Sequence, residues 1–192
     1  MNLTGQFLIA MPAMTDPFFS KTVTYICTHN QDGAMGVIIN RSADITVANL
    51  FQQIQLKAES TALLKKTVHF GGPVQTERGF ILHDILPATH DEFNSTIVIN
   101  NIVALTTSKD ILEATAQNKG PSKMLIALGY AGWTAGQLEN ELAQNAWLSL
   151  ESDNLDDIHA LIFDKADHEK FDYAMRMMGL NLANLSDVAG HA

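Results

Sequence analysis

The sequence predicts an α+β domain built on a mixed sheet. Strand-like segments fill the first half of the chain, helical stripes fill the last third, and one buried strand near residue 124 leads into a helix between them. A doubly wound parallel sheet would instead alternate strands and helices regularly. Because no linker-like stretch divides its 192 residues, the chain is predicted to form a single domain over residues 1–192.

The composition is that of a globular protein. Hydrophobic residues make up 46% of the chain and charged residues 17%, so a core can form without disulfides or metal. The one cysteine, Cys27, has no partner for an internal disulfide. No signal peptide is evident, and the apolar segment Met124–Trp133 is ten residues long, against the ~20 of a bilayer helix. We therefore expect a cytoplasmic protein that does not enter a membrane.

Strands separated by tight turns are predicted at the start of the chain. Asp32-Gly33 lies between two β-rich runs and indicates a hairpin, because glycine supplies the positive φ of a tight connection. Asp16-Pro17 is typical of the cap and first position of a short helical turn. The predicted strands of this part are Gly5–Met11, Thr22–His29 and Met35–Asn40.

Helical periodicity starts after Thr46, a possible cap. Apolar side chains then recur at the helical spacing of Val47, Leu50, Phe51 and Ile54. Further strands are predicted at Val68–Gly71, Gly79–His83, Thr96–Asn100 and Lys123–Leu128, and further helices at Ser108–Asn118 and Ala135–Ala146. Two short helices are predicted in the tail, the last marked by the stripe Phe171, Ala174, Met175 and Met178.

A glycine-rich segment, Gly129–Trp133, is predicted to be a turn between a strand and a helix. Free backbone N–H groups at such a helix start can hold an anion. The spacing is neither Gly-x-Gly-x-x-Gly nor a P-loop, so dinucleotide and P-loop chemistry are not supported. The simpler interpretation is a tight turn that lets a helix pack closely on a strand, with Trp133 in the core.

Four stretches, in order and spacing, resemble the AlgH/YqgE family of small bacterial proteins over nearly the whole chain. They are Gly5–Pro12 with Asp16 and Phe18-Phe19; His29 with Gly33–Arg41; Phe70–Val74 with Arg78–His83; and Gly129–Trp133 with Gly136–Glu139, Glu141 and Trp147. The resemblance implies a mixed α+β domain whose strongly bent, partly barrel-like sheet is surrounded by helices. For function it implies an uncharacterised protein, with a regulatory role proposed for one branch, and it supplies no catalytic residues. One departure is His69, where an aromatic residue is common in the family.

Cys27 and His29 are one candidate for chemistry. On a regular strand two residues apart share a face, so a thiolate–imidazolium pair is conceivable there. Val23 and Tyr25 would lie on the same face, which favours a packing role for the cysteine.

Other catalytic and metal-binding patterns are weak. The densest histidine group, His83-Asp84 with His90-Asp91-Glu92, flanks a loop and lacks the spacing of a metal site. Hydrolase motifs are missing from the sequence. On a helix, Glu139 and Glu141 would point apart, whereas Gln137 and Glu141 would share a face. We predict neither a metal nor a cofactor.

The charge distribution bears on the choice of partner. Residues 1–133 contain 9 basic and 10 acidic residues, whereas residues 134–192 contain 3 and 11, giving −1 and −8 for a total of −9. Lys65-Lys66 is the one adjacent basic pair, so direct binding of DNA or RNA is not expected. The acidic last third is most simply a solvated surface, and a surface for a protein partner is the alternative.

The sequence thus favours a non-catalytic regulatory or protein-interaction domain. The alternative is a small-molecule or anion-binding enzyme with a pocket near Gly129–Gln137. Residues that folding would have to bring into one cleft for that alternative are Asp16, His29, Asn40, His83, Gly129, Gly132 and Gln137. Transcriptional control by direct DNA contact is a third hypothesis, suggested by the regulatory role in the family, and the acidic charge argues against it.

Overall fold

Ten strands form one sheet in the computed structural model, which describes residues 1–85 and 93–180. The strands are β1 (Phe7–Ala10), β2 (Val23–Asn30), β3 (Gly33–Ile38), β4 (Ser42–Thr46), β5 (Thr67–Phe70), β6 (Val74–Asp84), β7 (Thr96–Val98), β8 (Val103–Thr106), β9 (Met124–Thr134) and β10 (Trp147–Leu150). The helical segments are α1 (Val47–Gln53), α2 (Thr61–Leu64), α3 (Asp110–Ala116), α4 (Gln137–Ala143), α5 (Leu155–His159), a π-helix (Ala160–Asp164) and α6 (Asp167–Met177).

The long strand β9 belongs to both halves of the sheet. Its last residues pair with β3, which continues through β2 and β1 to β10. Its first residues pair with β6, which continues through β8 to β7. On the β3 side, β9 also pairs with β5, and β5 pairs with β4. The β5–β9 pair is parallel and the others are antiparallel, so the predicted mixed sheet is confirmed.

The sheet bends where β9 passes from one half to the other. Gly129 has a φ of +74° there, and the register of β6 against β9 shifts between Val74 and Gly79. The segment that joins β5 to β6 crosses β9 at the same place, and a Cβ on Gly129 would collide with the carbonyl oxygen of Gly72. Glycine is therefore required for both its backbone angle and its lack of a side chain.

Three apolar clusters among the described residues pack against this bent sheet. The largest buries Phe7, Tyr25 and Leu82 under α5, the π-helix and α6. The second packs α1, α2 and α3 against β5, β6 and β9. The third buries Trp133 and Trp147 under α4. The α+β fold, with a strongly bent sheet surrounded by helices, is thus confirmed.

Several local predictions are confirmed. Thr46 caps α1, and its hydroxyl accepts from the backbone N–H of Asn49 in a reciprocal capping box. β2 and β3 form the hairpin predicted from Asp32-Gly33. The Asp16 carboxylate accepts from the backbone N–H of Phe18 at 2.8 Å and caps the turn that follows.

The prediction of a glycine-rich turn at Gly129–Trp133 was wrong. These residues continue β9, because β3 supplies a paired partner for Ala131 to Thr134. α4 begins only at Gln137, so the backbone N–H groups of Gly129–Trp133 are not at a helix start. The predicted helix over Ala135–Ala146 is also shorter: α4 spans Gln137–Ala143, and the positive φ of Asn145, 56°, leads the chain towards β10.

The shared face that regular strand geometry would give Cys27 and His29 does not occur in the structure. A β-bulge lies between Ile26 and Thr28, so the two side chains fall on opposite faces of β2. Cys27 lies in the large apolar cluster, whereas Ala34, which pairs with His29, packs against the Trp133 cluster. Burial raises the pKa of the Cys27 thiol, which keeps it protonated. Cys27 therefore packs in the core, as the apolar neighbours suggested.

Across residues 1–85 and 93–180, none of the helices has the length and apolar character that crossing a membrane requires.

We predict that Gly129→Ala destabilises the fold far more than Gly136→Ala. Gly136 has nearly the same positive φ, +73°, but nothing lies within 4 Å of a Cβ added there. Gly136→Ala should therefore cost only the backbone strain, about 1–2 kcal/mol. Gly129→Ala adds the collision with Gly72, so it should cost several kcal/mol in urea unfolding or prevent folding. Equal losses for the two variants would contradict the close crossing.

Candidate ligand-binding site

The residues predicted for a cleft near Gly129–Gln137 are dispersed in the structure. Asn40 accepts from the backbone N–H of Val23 at 2.8 Å and donates to the carbonyl of Lys21 at 3.0 Å. Nδ1 of His29 accepts from the backbone N–H of Leu3, and its Nε2 lies 3.0 Å from the Glu139 carboxylate. Asp16 caps a local turn, so the contacts of these three side chains are structural and do not converge on one cleft.

His83 lies apart from these three residues, where β6 pairs with β8. Its Nε2 is 2.9 Å from the Thr106 hydroxyl, and its Nδ1 is 3.1 Å from the carbonyl of Asp84. Burial lowers the pKa of His83, so the neutral ring is favoured. The loop residues once grouped with it as possible metal ligands, His90-Asp91-Glu92, lie outside the described residues.

An open groove does border β9 near the predicted pocket. Its volume is about 510 Å³, and its lining includes Gly132, Tyr130, Trp133 and the carboxylate-bearing Asp32. Gln137 accepts from the backbone N–H of Thr134 at 3.0 Å and donates to Glu141 at 2.9 Å, so the predicted shared face of Gln137 and Glu141 is confirmed. Of the residues in the predicted cleft that fall in the described part of the chain, Gly132 is the one that lines this groove.

The structure instead assembles a polar cluster that the sequence analysis did not predict. Oδ1 of Asp167, the first residue of α6, lies 2.9 Å from Nε2 of His69 on β5. The same oxygen lies 3.3 Å from Nζ of Lys170, one turn further along α6. One carboxylate oxygen therefore joins an imidazole and an ammonium group.

Lys170 is buried although it is a lysine. The residue is 2% exposed, and its Nζ donates to the carbonyls of Ile39 at 2.7 Å and Ile162 at 3.0 Å. Together with Asp167, these acceptors match the three donors of an ammonium group. Burial lowers the pKa of Lys170, and the charge of Asp167 opposes that shift. The side chain ties the end of β3, the π-helix and α6 together.

Asp167 is held ionised by its neighbours. Burial alone would raise the pKa of its carboxyl, but the hydrogen bond from His69 and the charge of Lys170 hold that pKa below its usual value. An ionised carboxylate only accepts hydrogen bonds, so a neutral His69 must carry its proton on Nε2. Nδ1 of His69 is then a bare acceptor, and it is shielded from solvent without a partner among the described residues.

A cavity of about 200 Å³ lies beside this cluster. Lys66 and the β5 residues Thr67 and His69 form one wall, and residues 124–126 of β9 form another. The π-helix, α6 and the residues between them close the cavity with Phe163, Lys165, Asp167 and Lys170. Three lysines, one histidine and one aspartate thus line the cavity. Its charge is positive in a chain whose net charge is −9.

The cavity exists because β5 and β9 separate. Their pairing is confined to His69 with Ala127 and Phe70 with Leu128. Thr67 and Leu125, two residues earlier on their strands, are unpaired with each other and both line the cavity. The π-helix lies over this opening, and its wide turn presents the Ile162 carbonyl to Lys170. π-helical turns occur often at functional sites.

The sequence contains little that indicates this polar cluster and its cavity. His69 and Asp167 are 98 residues apart, so no local spacing links them. Asp167 and Lys170 at i, i+3 resemble an ordinary surface ion pair. Two features did point here: Lys66 belongs to the adjacent basic pair, and His69 is the departure from the family pattern.

Similarity to known proteins identifies the family of this chain. The sequence model of the AlgH-like family matches residues 7–183 of the chain. This chain belongs to the AlgH-like family. Among AlgH-like relatives, a UPF0301 protein of Thiobacillus denitrificans is 53% identical over all of this chain and 98% of its own length. A UPF0301 protein of Ralstonia nicotianae is 49% identical over all of this chain and 96% of its own length.

Solved structures support the AlgH-like fold. The AlgH protein of Pseudomonas aeruginosa, whose solution structure is known, is 43% identical, with a TM-score of 0.78 over all of this chain and 97% of that one. A Corynebacterium diphtheriae protein is 19% identical, with a TM-score of 0.62 over 78% of this chain and 76% of that one. The second likeness concerns the fold alone.

We predict that Lys170→Met destabilises the protein far more than Lys123→Met. Without Lys170, Asp167 loses its cation and the carbonyls of Ile39 and Ile162 lose their donor. Removing one partner of a buried pair costs about 3–5 kcal/mol, and the partial exposure of Asp167 places this variant at about 3 kcal/mol. Lys123 pairs with Asp164 at the surface, so its loss should cost under about 1 kcal/mol. Similar urea midpoints for both variants would count against the role of Lys170.

We also predict a pH dependence due to His83. Because its folded pKa is lowered, the unfolded chain takes up a proton more readily as pH falls below about 6.5. The stability due to neutral His83 is complete above that pH and declines below it. The free energy of unfolding of the wild type, minus that of His83→Gln, should therefore decrease between pH 7.5 and pH 5.5. A difference that stays constant or rises would refute the assignment.

Proposed function

We propose that this AlgH-like chain is a non-catalytic regulatory domain that binds a small anionic ligand in the cavity beside His69. The charge of the cavity carries this proposal. Lys66 and Lys165 line it, and the charge of Lys170 is already balanced by Asp167. A partly enclosed site with uncompensated positive charge concentrates anions, even on a protein that is acidic as a whole.

Binding is favoured over covalent catalysis by the state of the nucleophiles. The Lys170 amine makes three contacts with oxygen acceptors, which occupy the hydrogens it would have to release. Burial raises the pKa of the Cys27 thiol, and a protonated thiol is a poor nucleophile. These groups support a site that holds a ligand without forming a bond to it.

The regulatory part of the proposal rests on which elements the cavity joins. One wall belongs to the sheet, through β5 and β9, and the other to the π-helix and α6. A ligand that contacts both walls favours one placement of the last helices over others. The segment that carries most of the net negative charge, residues 134–192, would then present a ligand-dependent surface to a protein partner.

The groove near Gly132 is less suited to an anion. Its lining residues include Asp32 and contain neither lysine nor arginine. An anion there would meet a like charge without a compensating cation. We therefore place the proposed anion site beside His69 and not near Gly129–Gln137.

Anion titrations followed by backbone amide NMR test the proposal on the full chain. Malate and glycerol 3-phosphate are the probes, and we expect shifts centred on residues 66–69, 124–126 and 160–170. Lys66→Met should weaken binding about 10-fold or more, because a charge-assisted contact contributes about 1.5–3 kcal/mol. Lys57→Met is the matched control, since Lys57 is exposed and away from the cavity lining.

Two results would contradict the proposal. One is the absence of saturable shifts around the cavity with either probe. The other is an equal loss of affinity in Lys66→Met and Lys57→Met, which would indicate attraction by net charge alone.

A further inference from the structure

The outer edge of β7 is open within residues 1–85 and 93–180. β7 ends its half of the sheet, and β8 is the one strand that pairs with it there. All three residues of β7 are exposed. An exposed strand edge can pair with another strand unless charged side chains, proline or a bulge block it. β7 has none of these, since it reads Thr-Ile-Val and its register against β8 is unbroken.

The hydrogen bonds between β7 and β8 show which backbone groups face outwards. Just after β7, the N–H of Ile99 donates to the carbonyl of Val103 at 3.0 Å. In an antiparallel pair every second residue bonds to the neighbouring strand. Ile97 therefore bonds to β8, whereas the N–H and C=O groups of Thr96 and Val98 point away from it. The outer edge thus offers two donors and two acceptors.

A row of apolar side chains crosses the sheet and ends at this edge. Leu125 on β9 lies opposite Leu82 on β6, and Leu82 lies opposite Leu105 on β8. Leu105 in turn lies opposite Ile97. Residues opposite each other in neighbouring strands share a face of the sheet. The three leucines are buried in the largest apolar cluster, but Ile97 is 41% exposed. A further strand beside β7 would cover Ile97 and continue the row.

The lack of charge at this edge favours a second copy of the chain as the source of that strand. The sequence has no charged residue from Phe93 to Ser108. Two chains of net charge −9 repel each other, so a neutral surface is where they approach at the lowest cost. A basic partner would gain nothing from an uncharged strand.

We infer that β7 pairs antiparallel with β7 of a second copy and joins the two sheets into one. A twofold axis at Ile97 places Thr96 of each chain opposite Val98 of the other, so that their outward groups form four hydrogen bonds. The two copies of Ile97 then face each other at a Cα separation of about 4.5 Å. None of these residues lines the cavity beside His69, so the dimer and the proposed anion site stand or fall separately.

Sedimentation velocity on the full chain, over a series of concentrations, tests the pairing. Two three-residue strands form a small interface, so we expect a dissociation constant of about 10–100 μM. Ile97→Lys replaces an apolar contact by two like charges directly opposite each other, and should raise that constant at least about 10-fold. Leu155→Lys is the matched control, because Leu155 on α5 is 42% exposed and the variant adds the same charge. It should change the constant less than about 2-fold.

Two further variants test the register. Ile97→Glu alone should also weaken the dimer. Mixed with Ile97→Lys, it should form a heterodimer at least about 10-fold tighter than either variant forms with itself, because opposite charges then face each other. Val98→Pro removes an outward N–H that β8 does not use. It should weaken the dimer while circular dichroism still shows a folded chain.

Three results would overturn the pairing. A wild type that remains monomeric at about 1 mM would mean that another segment or partner covers the edge of β7. Equal dissociation constants for Ile97→Lys and Leu155→Lys would place the dimer on a different surface. If mixing the two charge variants at Ile97 restores nothing, the antiparallel register centred on that residue is wrong.

Discussion

A lysine with almost no exposure to solvent organises the candidate site. Removing an ammonium group from water is costly unless acceptors surround it, and Lys170 has three, from the end of β3, from the π-helix and from Asp167. These contacts fix where α6 begins relative to the sheet. Asp167 in turn holds the ring of His69 on β5. The position of the cavity, its charge and the orientation of His69 all depend on this one buried cation.

Local patterns predicted much of the fold, because some elements are determined by their own residues. The stripe that follows Thr46 predicted α1 with its cap, and Asp32-Gly33 predicted the first hairpin. Elements determined by distant partners were not predicted. Gly129–Trp133 has the composition of a turn, yet pairing with β3 extends it as a strand. Trp147 follows a helical pattern without a break, yet pairing with β1 makes it the start of β10.

Local patterns could not predict the candidate site either, because its residues also depend on distant partners. The bulge after Ile26 separates Cys27 from His29, and nothing in their two-residue spacing marks an extra residue in the strand. His69 meets Asp167 only after β5 has paired with β9 and α6 has packed on the sheet. The sequence did contain the basic pair that includes Lys66 and the unusual His69. It did not contain the distances that turn them into one site.

The tautomer of His69 tests this account most directly. Long-range ¹H–¹⁵N correlation spectra of the imidazole rings, recorded on the full chain at neutral pH, distinguish a protonated Nε2 from a protonated Nδ1. The account predicts that Nε2 carries a proton, which it donates to the Asp167 carboxylate. A proton on Nδ1 together with a bare Nε2 in the free protein would contradict it, because His69 could then not donate to Asp167.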